Sequence, residues 1–284
     1  MAIVHSISAF CNAGFDIMGN AGSKFPSLTA YMGNPLINIT LMCLITVGGI
    51  GFFTWEDISD NKLHFKKYKM QTKVILVTSL FLVILPMLFF YFSEFSGMAA
   101  GERLLNAFFQ SVTTRTAGFN MVTLADMSEG GKGITVLLML IGGSPGSTAG
   151  GMKTTTFAVL YANAIAVFRR RENPNFFGRR IDASAVNNAA TILIMYATLF
   201  VGGALIINIA EGIPIGSCIY ETASAVGTVG LSVGITPGLG IISRVVLMVL
   251  MFFGRVGGLT LIYAALYKVE KIPSKFPQEK IIVG

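Results

Sequence analysis

The chain has 284 residues, 53% hydrophobic and only 12% charged, with a mean hydropathy of +0.70. Soluble domains carry charge on about a quarter of their residues, so an ordinary soluble domain is excluded. The net charge of +7 does not point to nucleic acid, because the basic residues gather in alternate loops instead of one stripe.

Ala2–Cys11 opens the chain as a short apolar, helix-compatible stretch. It lacks a basic leader and turns polar around Asn12 and Asp16, so it does not read as a signal peptide. Asn12-Ala13-Gly14-Phe15 follows, then an apolar run, Pro35–Trp55, long enough to cross a bilayer. Lys62, Lys66, Lys67, Lys69 and Lys73 crowd the next loop, and Val74–Ser93 is the second membrane-length stretch. Arg103–Thr114 is helix-compatible and leads into Thr116-Ala117-Gly118-Phe119.

Ile134–Phe168 is long enough to span but is interrupted: Gly142–Gly151 holds five glycines and a proline in ten residues, which no regular helix tolerates. Arg169, Arg170, Arg171, Arg179 and Arg180 fill the following loop, and Ala189–Ala210 is again apolar. Gly216–Gly227 then leads into Thr228-Val229-Gly230-Leu231, followed by Ile241–Tyr267 and a tail carrying Lys268, Lys271, Lys275 and Lys280. The basic loops and tail are assigned to the cytoplasm; the outer connections carry acids such as Glu94, Glu102, Glu211 and Glu221.

This topology puts all three glycine phrases in outer connections, each after a short helix and before a span. Such connections must dip into the membrane and return, which is tolerated only where the backbone is buried or lines a wet cavity. The expected fold is therefore an all-α membrane protein of repeated span, pore helix, filter, span units with re-entrant loops, like a potassium channel. Residues 1–56 form a partial repeat (pore helix, filter, second span) and 57–168 a complete repeat with a broken second span. Residues 169–284 form a complete repeat with a cytoplasmic tail. By this pattern the chain opens in mid-architecture, and a further repeat is expected before Met1.

The last phrase differs by one residue from the start of the Thr-Val-Gly-Tyr-Gly filter, which holds dehydrated potassium with main-chain oxygens. Asn12, Ala13, Gly14, Thr116, Ala117, Gly118, Thr228, Val229 and Gly230 are the expected ion-binding residues, with K+ as the ion. The plain alternative, helix packing by Ala-Gly-Phe, explains one copy better than three in equivalent places. A single glycine per strand implies a potassium preference less strict than a channel's. Gly142–Gly151 is expected to obstruct the pathway below the filter. Arg255, an intramembrane cation that needs a partner or water, is expected to hold that loop or repel ions when it is shut.

Other features read as ordinary. Cys11, Cys43 and Cys218 are odd in number, lack CxxC spacing, and are expected to be free and buried. Gly151-Met152-Lys153-Thr154 misses the phosphate-loop spacing by one residue, and no strand precedes it. His5 and His64 have no companions for catalysis or metal, and no enzyme activity is expected. Arg115 is expected to brace its helix, and Glu221 and Asp16 to be solvated acids near an outer mouth. An alternating-access carrier for another small solute and a non-conducting scaffold subunit are the rival readings.

The triple phrase, together with Ile141-Gly142-Gly143-Ser144-Pro145-Gly146-Ser147-Thr148-Ala149-Gly150-Gly151 and Phe253-Gly254-Arg255-Val256-Gly257-Gly258, resembles the Trk/Ktr/HKT potassium transporters, most of all the KtrB-type membrane subunit. The resemblance implies four repeats around one pore per subunit and a bacterial plasma-membrane location. It also implies a homodimer resting on a cytoplasmic ring of nucleotide-binding regulatory subunits, an intramembrane gate at the broken loop, and no covalent cofactor. K+ is the implied cargo, with Na+ a second candidate ion.

Overall fold

The computed structural model describes residues 1–19, 26–62 and 64–257. Ten α-helices and one small hairpin, with four short 3-10 turns and one π turn, make up the regular structure of these residues. In chain order they are α1 (Ala2–Phe10), α2 (Pro35–Ile50), α3 (Phe52–Asn61), α4 (Met70–Phe89), α5 (Ala100–Thr113), α6 (Glu129–Leu140) and α7 (Thr154–Phe168). The hairpin β1 (Asn175–Phe176) and β2 (Arg179–Arg180) precedes α8 (Ala183–Glu211), α9 (Ile215–Val226) and α10 (Ile241–Val256).

The helix ends follow from local chemistry. Asn34 caps α2, its Oδ1 accepting from the N–H groups of Leu36 (3.1 Å) and Ile37 (3.2 Å), and Pro35 fills the first helical position. Ser128 caps α6 through Gly131 N–H at 3.0 Å. Gly212, left-handed at φ 68, stops α8. Near the end of α4, Pro86 withholds an N–H, and the helix widens into a π turn over Phe90–Glu94.

Among the described residues, α4 with its π turn and α8 are long and apolar enough to cross a membrane. The pair α2 and α3 passes the same test only if taken together, and it is bent by 94°. The expected span Pro35–Trp55 is thus corrected: the straight helix ends at Ile50, and Gly51 (φ 96) sends the chain sideways into α3. Position 51 demands glycine twice, since a Cβ there would also stand 2.5 Å from Pro145 O. Of Ile241–Tyr267, residues 241–256 form α10, and 258–267 lie outside the described residues, as does the lysine tail.

Three hydrophobic clusters form the interior, and two of them take in residues of the second and third phrases. Ala9, Leu41, Ile45, Phe109 and Phe119 belong to the first; Phe90, Leu138, Met139, Tyr220 and Val229 to the second; Tyr196, Ile207, Cys218, Val226 and Leu247 to the third. Large apolar side chains also face outward, among them Leu80, Ile194, Ile209 and Met248. In water these would be a liability; against hydrocarbon they are the expected surface.

Candidate functional site

Each phrase begins where a short helix ends. Helices α1, α5 and α9 deliver the chain to residues 12, 116 and 228, and the backbone then follows one pattern three times. Asn12, Thr116 and Thr228 are left-handed (φ 50, 62 and 53), as are Gly14, Gly118 and Gly230 (φ 70, 80 and 91). Ala13, Ala117 and Val229 between them have no positive φ. Alternating handedness turns successive N–H groups one way and successive carbonyls the other. A β-branched threonine in this region costs about 1–3 kcal/mol and persists only where its surroundings enforce it.

The three phrases meet. A Cβ on Gly14 would stand 2.6 Å from Ala117 O and 3.1 Å from Gly118 Cα; one on Gly118 would stand 2.3 Å from Val229 O and 3.2 Å from Gly14 Cα. A Cβ on Gly230 would reach Gly118 Cα at 3.9 Å. The carbonyl of Ala117 therefore faces Gly14 and that of Val229 faces Gly118, so the second and third phrases turn main-chain oxygen on a neighbouring phrase's glycine. The hydroxyls of Thr116 and Thr228 are buried and have no hydrogen-bond partner among the described residues.

Under the phrases lies the irregular segment between α6 and α7. Its two ends are pinned together by Gly142 N–H to Met152 O (2.8 Å) and Met152 N–H to Leu140 O (3.3 Å). Gly142 and Gly150 sit against the phrases: a Cβ on Gly150 would overlap Thr228 Oγ1 at 2.0 Å, and one on Gly142 would press Thr116 Cγ2 at 3.2 Å. Ser144 N–H donates to Gly49 O (2.9 Å), and Phe52 N–H to Gly146 O (3.1 Å), so α2 and α3 hold the loop from the side. Two cations reach its carbonyls. Arg255 Nη1 donates to Thr148 O at 2.6 Å and Lys153 Nζ to Ala149 O at 2.7 Å. The residues expected to form filter and gate, from Asn12 to Arg255, are thus neighbours: the phrases meet one another, the loop lies against them, and Arg255 reaches the loop.

The spans clasp the short helices through a recurring glycine. A Cβ on Gly48 of α2 would stand 1.8 Å from Phe10 O, and one on Gly254 of α10 would stand 2.0 Å from Val226 O; both oxygens lie two residues before a phrase. Acids at the outer helix ends recur likewise. Glu94 accepts from Ser128 N–H (3.0 Å) at the start of α6, and Glu211 from Gly240 N–H (2.8 Å) and Ser243 Oγ (2.6 Å) at the start of α10. Their charge favours the helix N-terminus as well as filling its open donors.

Several expectations need correction. Glu221 is not a solvated acid: it is buried and accepts from Ser232 Oγ (2.6 Å), Val233 N–H (3.0 Å) and Thr236 Oγ1 (2.7 Å), which pins the chain leaving the third phrase. Arg115 is buried with Ser79 Oγ (3.2 Å) as its side-chain partner and no acid within reach among the described residues. Cys11 and Cys43 are exposed, and only Cys218 is buried, since the first two occupy helix ends and faces without protein cover. His5 is buried beside Met1 O, His64 is exposed, and no cluster of metal-ligating side chains occurs among the described residues. The carboxylates were invisible as anchors because an acid in an outer loop looks the same whether solvated or buried; the one available signal was Glu94 and Glu211 at equivalent span ends.

Comparison with known proteins gives one consistent result. The family model described as "TrkH: Cation transport protein" matches residues 1–276. The potassium/sodium uptake protein NtpJ of Enterococcus hirae is 38% identical over 294 aligned residues, covering all of this chain and 64% of that protein. The Ktr system potassium uptake protein B of Bacillus subtilis is 34% identical, again over all of this chain and 63% of its own length. The chain thus spans a little under two thirds of these relatives. The crystal structure of the potassium transporter TrkH from Vibrio parahaemolyticus matches the fold with a TM-score of 0.74 at 22% identity, over 93% of this chain and 57% of that one.

Proposed function

Because this chain belongs to the TrkH family of cation transport proteins, we propose that it carries three filter strands and the gate of a potassium-uptake pore in a bacterial plasma membrane. Potassium is the cargo. Carbonyl oxygens of Asn12 to Gly14, Thr116 to Gly118 and Thr228 to Gly230 replace its water, as in other filters built of backbone oxygen. The C-terminal ends of α1, α5 and α9 point their negative dipole ends at the same place and favour a cation there. The unpartnered hydroxyls of Thr116 and Thr228 line its inner end.

In this reading Gly142–Gly151 closes the inner side of the filter, and Arg255 holds it there by its bond to Thr148 O. Movement of the loop opens the path; a homodimer and a cytoplasmic nucleotide-binding subunit supply the setting in which it is controlled. Na+ enters as a second ion that the single-glycine strands discriminate against only in part. The observation that carries the proposal is the left-handed pair at 12/14, 116/118 and 228/230, repeated in three strands whose glycines touch.

Gly118→Ser tests it. Serine at φ 80 is strained, and its Cβ would stand 2.3 Å from Val229 O, so the carbonyl ring must distort. Potassium and sodium uptake measured in the same proteoliposomes should show the K+/Na+ ratio falling severalfold. An unchanged ratio removes Gly118 from the filter and the reading with it.

A further inference from the structure

We propose that Asn12 is a latch for the broken loop, and that its bond to Thr148 ties the loop's closed position to the inner end of the first filter strand. This rests on the phrases being a filter and the loop its gate. Within that reading, it assigns a positioning role to a pair of side chains that the repeat pattern does not explain.

The departure from symmetry comes first. Two phrases begin with threonine, whose hydroxyls point at no partner, while the first begins with asparagine in the same left-handed conformation. Asparagine tolerates that conformation better than threonine. Its side chain also does something the threonines do not. Asn12 Oδ1 lies 3.1 Å from Thr148 Oγ1, and Asn12 Nδ2 donates to Arg115 O at 3.4 Å, one residue before Thr116. One amide thus bridges the loop and the second phrase. A threonine at 12 carries its hydroxyl on Cβ, one bond short of the Oδ1 position.

Room for the bridge is built into α2. A Cβ on Gly48 would stand 2.8 Å from Asn12 Oδ1, and one on Gly49 would stand 3.6 Å from Asn12 Nδ2. Thr148 is equally committed. Its hydroxyl has Phe10 O (3.2 Å) and Gly48 O (3.2 Å) as further acceptors, its N–H reaches Gly48 O (3.4 Å), and its carbonyl takes Arg255 Nη1 (2.6 Å). Under the threonine-bearing phrases the loop offers glycines, Gly142 and Gly150, which make contact without a side chain to hydrogen-bond. Under the asparagine-bearing phrase it offers the hydroxyl of Thr148. When the loop swings away, Thr148 must release Asn12, and the amide nearest the inner ion position is freed in the same step. Opening and filter geometry are thereby coupled.

The experiment uses the full-length protein in proteoliposomes, with resting K+ flux and the K+/Na+ ratio as readouts. Thr148→Val keeps the volume and removes the hydroxyl; resting flux should rise about fivefold to tenfold, the shift expected from losing one buried hydrogen bond. Thr148→Ser should restore parental flux, which separates the bond from a packing defect. Asn12→Thr should raise resting flux similarly, and the double variant should match the larger single effect and not their product. Multiplying effects, or no rise in Thr148→Val, overturn the latch. Gly118→Ser in the same vesicles separates the two failures: a lowered K+/Na+ ratio with multiplying effects sinks the latch alone, whereas an unchanged ratio sinks the filter reading and the latch together.

Discussion

Gly254→Ala isolates the spacing between α10 and the helix that feeds the third phrase. Gly254 lies inside α10 without a positive φ, so alanine brings no backbone strain there. Helix preference alone favours the change by up to about 1 kcal/mol. Space decides the other way. The new Cβ would stand 2.0 Å from Val226 O, 2.8 Å from Val226 C and 3.0 Å from Thr228 Cγ2. Carbon approaches a carbonyl oxygen to about 3.3 Å, so α10 must retreat by about 1 Å. Main chain, unlike a long side chain, cannot rotate aside. Overpacking costs about 1–3 kcal/mol, and the upper end applies to a backbone obstacle. The net loss is about 1–2 kcal/mol, which lowers the melting midpoint of a chain this size by about 2–8 °C. Gly202 in α8 is the control, since a Cβ there meets nothing within 4 Å. Gly202→Ala should melt at or a little above the parent. Thermal challenge in detergent followed by size-exclusion chromatography compares the two directly. If Gly254→Ala melts no lower than Gly202→Ala, the close approach of α10 to the third phrase is not a constraint, and the clasp described for Gly48 and Gly254 is wrong.

Arg255→Ala removes the 2.6 Å donor to Thr148 O and should raise resting K+ flux severalfold, with Arg255→Lys intermediate because a lysine offers no planar fork. Parental flux in Arg255→Ala would remove Arg255 from the gate. Glu221→Ala strips three donors, Ser232 Oγ, Val233 N–H and Thr236 Oγ1, of their shared acceptor. It should destabilise the fold by at least about 2 kcal/mol and lower the K+/Na+ ratio. Melting and ion flux on the same preparation check both, and a normal ratio would show that the exit of the third phrase does not need its anchor.

Much of this arrangement was legible in the sequence, for identifiable reasons. The phrases stood out because a glycine forced into a left-handed turn cannot be exchanged freely, and three such turns leave a repeated trace. The loop stood out because five glycines and Pro145 cannot be helix wherever they are placed. The bend at Gly51 was not legible. Thr46-Val47-Gly48-Gly49-Ile50-Gly51 reads as an apolar stretch with close-packing glycines, and whether such a stretch breaks depends on what it meets. Here it meets Pro145 and Gly146, almost a hundred residues away in sequence. Glu221 was missed for the same reason: its donors are brought to it by the turn of the third phrase. The sequence marks where the backbone is unusual; it does not mark which distant groups complete a hydrogen bond.

The division between symmetric and asymmetric contacts carries the mechanism further. The contacts shared between repeats hold parts in place: Gly48 on Phe10 O and Gly254 on Val226 O, Glu94 and Glu211 on the starts of α6 and α10. A contact repeated in two units helps fix the spacing of strands but gives neither unit a reason to move alone. Features that occur once are different, and they gather around the broken loop: Asn12 in place of threonine, the break between α6 and α7, Lys153 and Arg255 on neighbouring carbonyls, and α3 turned against Pro145 and Gly146. Thr148 is tied to two of these, to Asn12 through its hydroxyl and to Arg255 through its carbonyl, and to α2 through its N–H on Gly48 O. A loop held at one residue by α2, α10 and the first phrase has few intermediate positions, since releasing any one partner strains the bonds to the others. If the loop is the proposed gate, such anchoring favours a switch between two places over a gradual drift. In the proposed gating, the part that moves lies where the repeat is broken, and Thr148 is the residue whose bonds must be released.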